Sequence, residues 1–288
     1  MALIDHIRAC NAHDISRFRP FRVAGATAGW IRDDFVPTLA RRPDLFMIQP
    51  HAVTLSRALT TPQERTAALD PFLRQLSAEG MIGAWREERY PVAPRWGEPA
   101  LFAMERAAVV FFGIRAYGVH LTGYVRRLDG LHIWVATRSR TKPTYPGMLD
   151  NTVAGGQPDG ISLIDNLVKE CAEEASISES LARTARPIGI VTYCLEHRDG
   201  LKPDVLYNFD LELPDDFTPR PGDDEIEHFE LWPVGRVLER VRDTFDFKFN
   251  CNLVLIDFFI RHGLIAPDDP DYVELAAGLH AFADGPRP

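Results

Sequence analysis

Three glutamates, Glu170, Glu173 and Glu174, stand at i, i+3 and i+4 in the string Lys169-Glu170-Cys171-Ala172-Glu173-Glu174. A glycine-rich stretch, Gly155-Gly156-Gln157-Pro158-Asp159-Gly160-Ile161, runs just ahead of them. In a helix that spacing puts all three carboxylates on one face. Carboxylates held so close repel one another unless a cation sits among them. A hard divalent ion, Mg²⁺ or Mn²⁺, takes clustered oxygen ligands of this kind, completed by water and substrate phosphates. A solvated acidic face is the plainer reading of such a string, and the glycine stretch upstream is what favours a site. The helix itself has local signals. Ser162 stands as an N-cap with Asp165 three residues on, in the manner of a capping box. Leu163, Leu167 and Cys171 recur every four residues, and Val168, Ala172 and Ala175 widen that stripe. Asp165 with Lys169, and Lys169 with Glu173, are i,i+4 pairs.

These residues resemble a Nudix box, G-x5-E-x7-R-E-U-x-E-E-x-G-U. Gly155 takes the first position, Lys169 stands for the Arg, Glu170 for the Glu after it, and Cys171 for the apolar U. Glu173 and Glu174 match the metal-binding pair, and Ile177 is the last U. Besides Lys169, two positions depart from the pattern: Ile161 stands where the family has Glu, and Ser176 where it has Gly. The family's upstream Glu supports the helix and its Arg, so its loss beside an Arg-to-Lys change reads as a matched change in structural support. Longer strings, PTYPGMLDNTVAGG (143–156), FFGIRAYGVHLTGYV (111–125) and FKFNCNLVLIDFFIRHG (247–263), resemble a Nudix subgroup related to fungal thiamine pyrophosphokinases. That resemblance covers nearly the whole chain. It implies a mixed α/β fold, a Nudix α/β/α sandwich over residues 121–288 preceded by a smaller α+β domain over 1–120.

The resemblance also implies a chemistry. Mg²⁺ (or Mn²⁺) on Glu170, Glu173 and Glu174 would neutralise a diphosphate and lower the pKa of a bound water. Glu170 and Glu173 are then catalytic. Glu225, from the acidic run Asp223-Asp224-Glu225-Ile226-Glu227, is the carboxylate expected to return to the site as a base, with Glu227 next; a solvated acidic loop is the plainer reading of that run. Substrate contacts are expected from Arg138 and Lys142, with Arg140 between them, and from Tyr145 and Asn151. Gly155 and Gly156 are expected to let backbone approach phosphate, beside a helix N-terminus that favours an anion. Trp232, Phe247 and Phe249 are candidates to stack on a ring, although core is the ordinary place for such residues. The implied substrate is thiamine diphosphate or a damaged oxo- or oxy-analogue, cleaved to the monophosphate and phosphate. The alternatives are a nucleoside-diphosphate-linked compound such as ADP-ribose, and a non-catalytic ligand sensor, which Ile161 and Ser176 motivate.

Composition bounds the rest. A chain of 288 residues with 45% apolar content has room for two modest domains or one large one. Its net charge of −9 argues weakly against nucleic acid and anionic membranes as partners and does not exclude an anionic small molecule; a small-molecule diphosphate is the partner the resemblance implies. Four cysteines, none in a CxxC, point away from structural zinc and a disulfide framework. The N-terminus lacks a basic segment followed by an apolar run, and no apolar stretch approaches about 20 residues. A cytoplasmic protein is the expectation, with a homodimer as a candidate assembly.

Along the chain, helices are expected over 3–12 and 29–35, and from a Thr61-Pro62 start that Pro71 should end or kink. Strands are expected over 85–92 and 108–112. The second half reads as strand 117–127, an Asp129-Gly130 turn, strand 131–138, then strands 187–196, 205–213 and 225–232, and helices 234–242 and 250–262. The final DGPRP looks frayed.

Overall fold

The computed structural model describes residues 2–282; the DGPRP tail lies outside them. Helix α1 (Leu3–Cys10) opens the chain. A hairpin follows, β1 (Phe18–Val23) and β2 (Ala26–Arg32). Its turn is Ala24-Gly25, both at positive φ (49° and 88°), the geometry that matches the twist of paired strands. This hairpin replaces the helix expected over 29–35. Gly29 is the reason: it packs directly on the backbone of Phe112 and Gly113, an approach any Cβ would block. After α2 (Val36–Leu39) come β3 (Phe46–Gln49) and β4 (Ala52–Leu55), completing a four-stranded sheet in the order β2-β1-β4-β3.

Helix α3 (Pro62–Ala78) starts at a full capping box. Thr61 Oγ1 accepts from the Glu64 amide at 3.2 Å, and Glu64 accepts from the Thr61 amide at 3.0 Å. It does not end at Pro71 but runs on past it to Ala78. Ala67, whose carbonyl loses its partner there, and Pro71 are both exposed, while Leu69, Phe72, Leu73 and Leu76 anchor both sides of the proline in the core. Tertiary burial of that stripe outweighs the cost of one lost hydrogen bond, about 3 kcal/mol for an interior proline. Of the strand expected over 85–92, only β5 (Arg89–Val92) forms, because Ala84 and Glu87 take positive φ. It pairs with β6 (Phe102–Glu105). Residues 106–112 form 3-10 turns capped by Glu105 and closed by Gly113 at φ 54°, where a strand was expected over 108–112. Ala108, Val109, Phe111 and Phe112 are all buried there, a run without the two-fold alternation a half-buried strand needs.

The second sheet is built on β7 (Tyr117–Arg127) and β8 (Gly130–Arg138), joined at Asp129-Gly130. Short β9 (Leu149–Asp150) pairs with β8, and β10 (Val153–Gly156) with the first half of β7. Helices α4 (Leu163–Ala175) and α5 (Glu179–Ala182) lead into β11 (Arg186–Thr192). A small hairpin, β12 (Leu195–His197) and β13 (Gly200–Lys202), precedes β14 (Val205–Glu212) and β15 (Ile226–Pro233). The main order is β11-β14-β7-β8-β15, with β14 parallel to β7 and the other pairs antiparallel. The chain closes with α6 (Val234–Asp243), α7 (Phe249–Arg261) and α8 (Tyr272–Gly278). Alternate residues of the sheet face α4 on one side, through Val119, Leu121, Phe209 and Leu211, and α7 on the other, through Tyr124, Ile133 and Leu206. This is the expected mixed α/β sandwich.

The buried apolar residues fall into several clusters, and the two largest form the first and second cores. One gathers Phe21, Phe46, Phe72, Phe102 and Phe112 of the N-terminal half. Helix α1 does not join it. Ile4, Ile7 and Cys10 enter the second core against α6–α8, and His6 Nε2 lies 2.6 Å from the Val241 carbonyl. The chain therefore starts in one core, leaves to build the other, and returns.

Candidate active site

Helix α4 is set by its two ends. At the start, Ser162 Oγ accepts from the Asp165 amide at 3.2 Å and donates to the Asp165 carboxylate at 2.6 Å. Arg183, at 2.9 Å, takes the place expected for Lys169 as the partner of Asp165. At the end, Ser176 adopts φ 53°, the left-handed position in which the Nudix pattern places Gly, and the Ile177 amide closes the turn on Cys171 O at 3.0 Å. Ser176 Oγ donates to Arg220 O at 2.9 Å, a contact glycine does not offer. At the other departure, half-buried Ile161 gives its carbonyl to Gln157 Nε2 at 2.7 Å. Lys169 has its own partners and leaves no charge orphaned by the missing Glu.

Strand β10 runs beside α4 and meets it residue by residue. The Ala154 amide donates to Glu174 at 2.9 Å, Gly155 abuts the Glu170 carboxyl, and Asn166 Nδ2 donates to Gly156 O at 2.9 Å. Gly155 and Gly156 are thus strand residues rather than an open phosphate loop. A Cβ on Gly155 would overlap Glu170; a Cβ on Gly156 would overlap the hydroxyl of Tyr90, from the N-terminal half. Close packing is the reason for both glycines.

The three glutamates differ in environment. Glu174 is buried, and burial pushes its acid up to about 8; the Ala154 amide opposes this while Asp150 and Glu170 add to it. Glu170 is also raised by burial, against the pull of Lys169. Glu173 is half exposed. The Lys169 ammonium bridges Glu173 at 2.8 Å and Glu170 at 3.3 Å. A second set of carboxylates arrives from the loop before β15. The Arg220 amide donates to Ala175 O at 3.1 Å, and Gly222 packs on the Glu173 carbonyl, which docks the loop on the end of α4. Asp223 accepts from the Glu225 amide at 2.9 Å, and its acid is raised by burial and by neighbouring Glu225 and Glu173. Glu225 pairs with Lys142. Burial alone would raise the Glu225 acid, but Lys142, Arg106 and Arg86 hold it below the ordinary glutamate value. Glu227 faces Arg140 at 3.7 Å.

The expected substrate contacts divide. Lys142 is beside the carboxylates, tied to Glu225. Arg138 is 4% exposed and its donors are taken by Asp150 at 2.6 Å, Tyr145 O at 2.9 Å and Thr144 O at 2.8 Å. It clamps the loop that carries Lys142. Asn151 is buried, with Oδ1 at 2.8 Å from His120 Nδ1, whose protonation burial holds down to about 4. Tyr145 rests on Phe249, ring centroids 5.3 Å apart, and Trp232 and Phe247 lie in the second core. Two residues, Tyr90 and Arg106, escaped the sequence reading. Arg106 pairs with Glu88 at 2.7 Å, lies 5.7 Å over the Tyr90 ring, and extends its charge to Glu170 and Glu225. Nothing local marks it in the string ERAAVVFF. Among the described residues, no three His, Cys, Asp or Glu side chains converge as a formed metal site.

Comparison with known proteins finds relatives over most of the chain. Residues 2–116 match a family described as a domain of unknown function (DUF4743). Nudix hydrolase 24, chloroplastic, of Arabidopsis thaliana is 43% identical, over 94% of this chain and 76% of its own length. Nudix hydrolase 20, chloroplastic, of the same plant is 42% identical, over 94% and 75%. Among solved structures, the NUDIX domain of Shewanella oneidensis NrtR aligns at 13% identity with a TM-score of 0.42, over 54% of this chain and 91% of that one. With relatives of this identity over nearly its full length, the chain belongs to the Nudix hydrolase family.

Proposed function

We propose that this protein is a divalent-metal-dependent hydrolase of thiamine diphosphate, or of its damaged oxo- and oxy-analogues, releasing the monophosphate and phosphate. The observation that carries the reading is the docking of the loop before β15 on the end of α4, which brings Asp223 near Glu173 on the helix that also carries Glu170 and the buried Glu174. The Nudix family typically uses divalent metals, and the donors here fit one by type. All are carboxylates. Glu174 and Glu170 are both raised chiefly by burial, and Glu170 adds to the rise at Glu174, so a cation among these carboxylates would favour their charged forms. Lys169 now supplies the positive charge between two of them. Glu170, Glu173 and Glu174 would hold Mg²⁺ or Mn²⁺, which when bound neutralises phosphate charge and acidifies water.

The protein's own groups supply the rest. Lys142 and Arg106, whose charges both act on Glu225, serve as cations for the diphosphate, one from the sandwich and one from the N-terminal half. Glu225, ionised at neutral pH, is the candidate to accept a proton from the attacking water. Arg138 positions Lys142 by fixing the loop between them. The thiamine reading rests on the strings around 111–125, 143–156 and 247–263; ADP-ribose, named with the NrtR structure, is the second substrate class to assay. The test is phosphate and nucleotide release from thiamine diphosphate, its oxo- and oxy-analogues and ADP-ribose, with Mg²⁺ and with chelator. Metal-dependent turnover fastest on a thiamine diphosphate supports the reading; turnover confined to ADP-ribose moves it to the second class.

A further inference from the structure

A cavity of about 460 Å³ opens at the start of β7 and β14, lined by Arg95, Trp96, Arg115, Tyr117, Ile190 and Tyr207 among others. Three rings meet in it. Trp96 lies 4.7 Å from Tyr117 and 5.0 Å from Tyr207, and the two tyrosines are 6.4 Å apart. Trp96 comes from the loop between β5 and β6 in the N-terminal half, whereas both tyrosines belong to the second sheet. Trp96 is 45% exposed, so the largest side chain of the wall is left open to water.

The cavity is on the glutamate side of the sheet. Ile190, Tyr207, Val119 and Gly155 are successive register partners across β11, β14, β7 and β10, and register partners present one face. On that face Val119 and Tyr207 pack into the core of α4, and Gly155 abuts Glu170. Two inter-strand spacings, about 10 Å, separate Tyr207 from Gly155. Tyr117 O also accepts from the Gln157 amide at 2.8 Å, which ties the cavity wall to the residue after Gly156.

We infer that this cavity receives the planar heteroaromatic ring of the diphosphate substrate, with Trp96 as its stacking platform. The inference rests on the hydrolase reading for the other end of the molecule. A flat ring gains by covering Trp96 and the tyrosines. The lining also carries Arg95, paired with Glu98 at 2.7 Å, and Arg115, which hydrogen-bonds Tyr117; guanidinium groups of this kind suit ring nitrogens and carbonyl oxygens as acceptors. The N-terminal half then sets which organic group is accepted while the glutamate helix acts on the phosphates.

The experiment compares Trp96→Ala and Trp96→Phe with the wild type on thiamine diphosphate, ADP-ribose and methyl diphosphate, which has no ring. Trp96→Ala should raise KM about tenfold or more for a ring-bearing substrate with kcat nearly unchanged. Trp96→Phe should restore most of the loss, and methyl diphosphate should not respond. A KM unchanged for both ring-bearing compounds, or raised equally for all three, overturns the inference. Calorimetric binding of thiamine diphosphate and ADP-ribose without metal separates this claim from the hydrolase reading. If the wild type cleaves nothing yet binding depends on Trp96, the hydrolase reading fails and the ring site stands. Binding that is absent in the wild type, or equal in wild type and Trp96→Ala, overturns the ring site.

Discussion

Glu174 is buried, and burial outweighs the Ala154 amide and the Lys142 charge that favour its carboxylate, so its titration is set chiefly by desolvation. Its acid is raised from 4.5 to about 8, so the folded chain keeps a proton that the unfolded chain has released. Stability is therefore fully present below about pH 4.5 and is lost as pH rises towards and through 8. Glu174→Gln removes the titrating group and keeps the shape. In metal-free urea unfolding, the wild type should lose midpoint between pH 5 and pH 8.5, and the variant should lose less, while its turnover falls by roughly 10². Equal pH dependence in the two proteins would show that Glu174 is not the group responsible. Residue identities on α4 were legible because one helix turn fixes them. The packing role of Gly155 and Gly156 was not, since Glu170 and Tyr90 come to them from other elements.

At the level of elements, the sequence yielded those with strong periodicity and local caps. Helices α3, α4, α6 and α7 and strands β7, β8, β14 and β15 follow from pattern, turn and cap. Residues 29–32 and 108–112 went wrong because Gly29, Phe112 and Gly113 settle one another across the first core, a contact no window of sequence contains. Helix α3 continues past Pro71 because tertiary burial outweighs a cost that is local. Ser176 shows the same interplay at the end of α4. Its positive φ costs about 1 kcal/mol for a residue with a Cβ, and its hydroxyl offsets this by holding the Arg220 carbonyl. Ser176→Ala keeps the strain and loses the bond, so it should destabilise by about 1–2 kcal/mol in urea unfolding. Ser176→Gly loses the bond and relieves the strain, and should lie close to the wild type. Equal loss in both variants would mean that the hydroxyl, and not the backbone geometry, decides this cap.

For the whole molecule, the entry of α1 into the second core changes what a truncation means. Ile4 and Ile7 are each buried to within 4%, and full burial of such side chains is worth roughly 1.5–3 kcal/mol apiece. A chain lacking residues 1–12 should lose several kcal/mol of stability in the second half, read as a fall in the urea midpoint. An unchanged midpoint would show that α1 is an appendage. Removing residues 1–110 as a block strips α1 from that core, so selectivity is better probed by replacements in the N-terminal half that spare it. Tyr90, Arg106 and Trp96 of that half carry no local mark in the sequence, because each meets its neighbours from β7, β10, β14 and α4 only in the folded chain. The central claim is that the carboxylates of α4 hold a metal that hydrolyses a diphosphate, and Glu173, exposed and bonded only to Lys169 among the described contacts, tests it without disturbing the core. The measurement is steady-state phosphate release from thiamine diphosphate by wild type and Glu173→Gln across a Mg²⁺ titration, with urea midpoints as a check on folding. The expected result is release that needs Mg²⁺ and falls by roughly 10² or more in a variant folded like the wild type; near-wild-type turnover by Glu173→Gln at saturating Mg²⁺, or wild-type turnover in chelator, would contradict it.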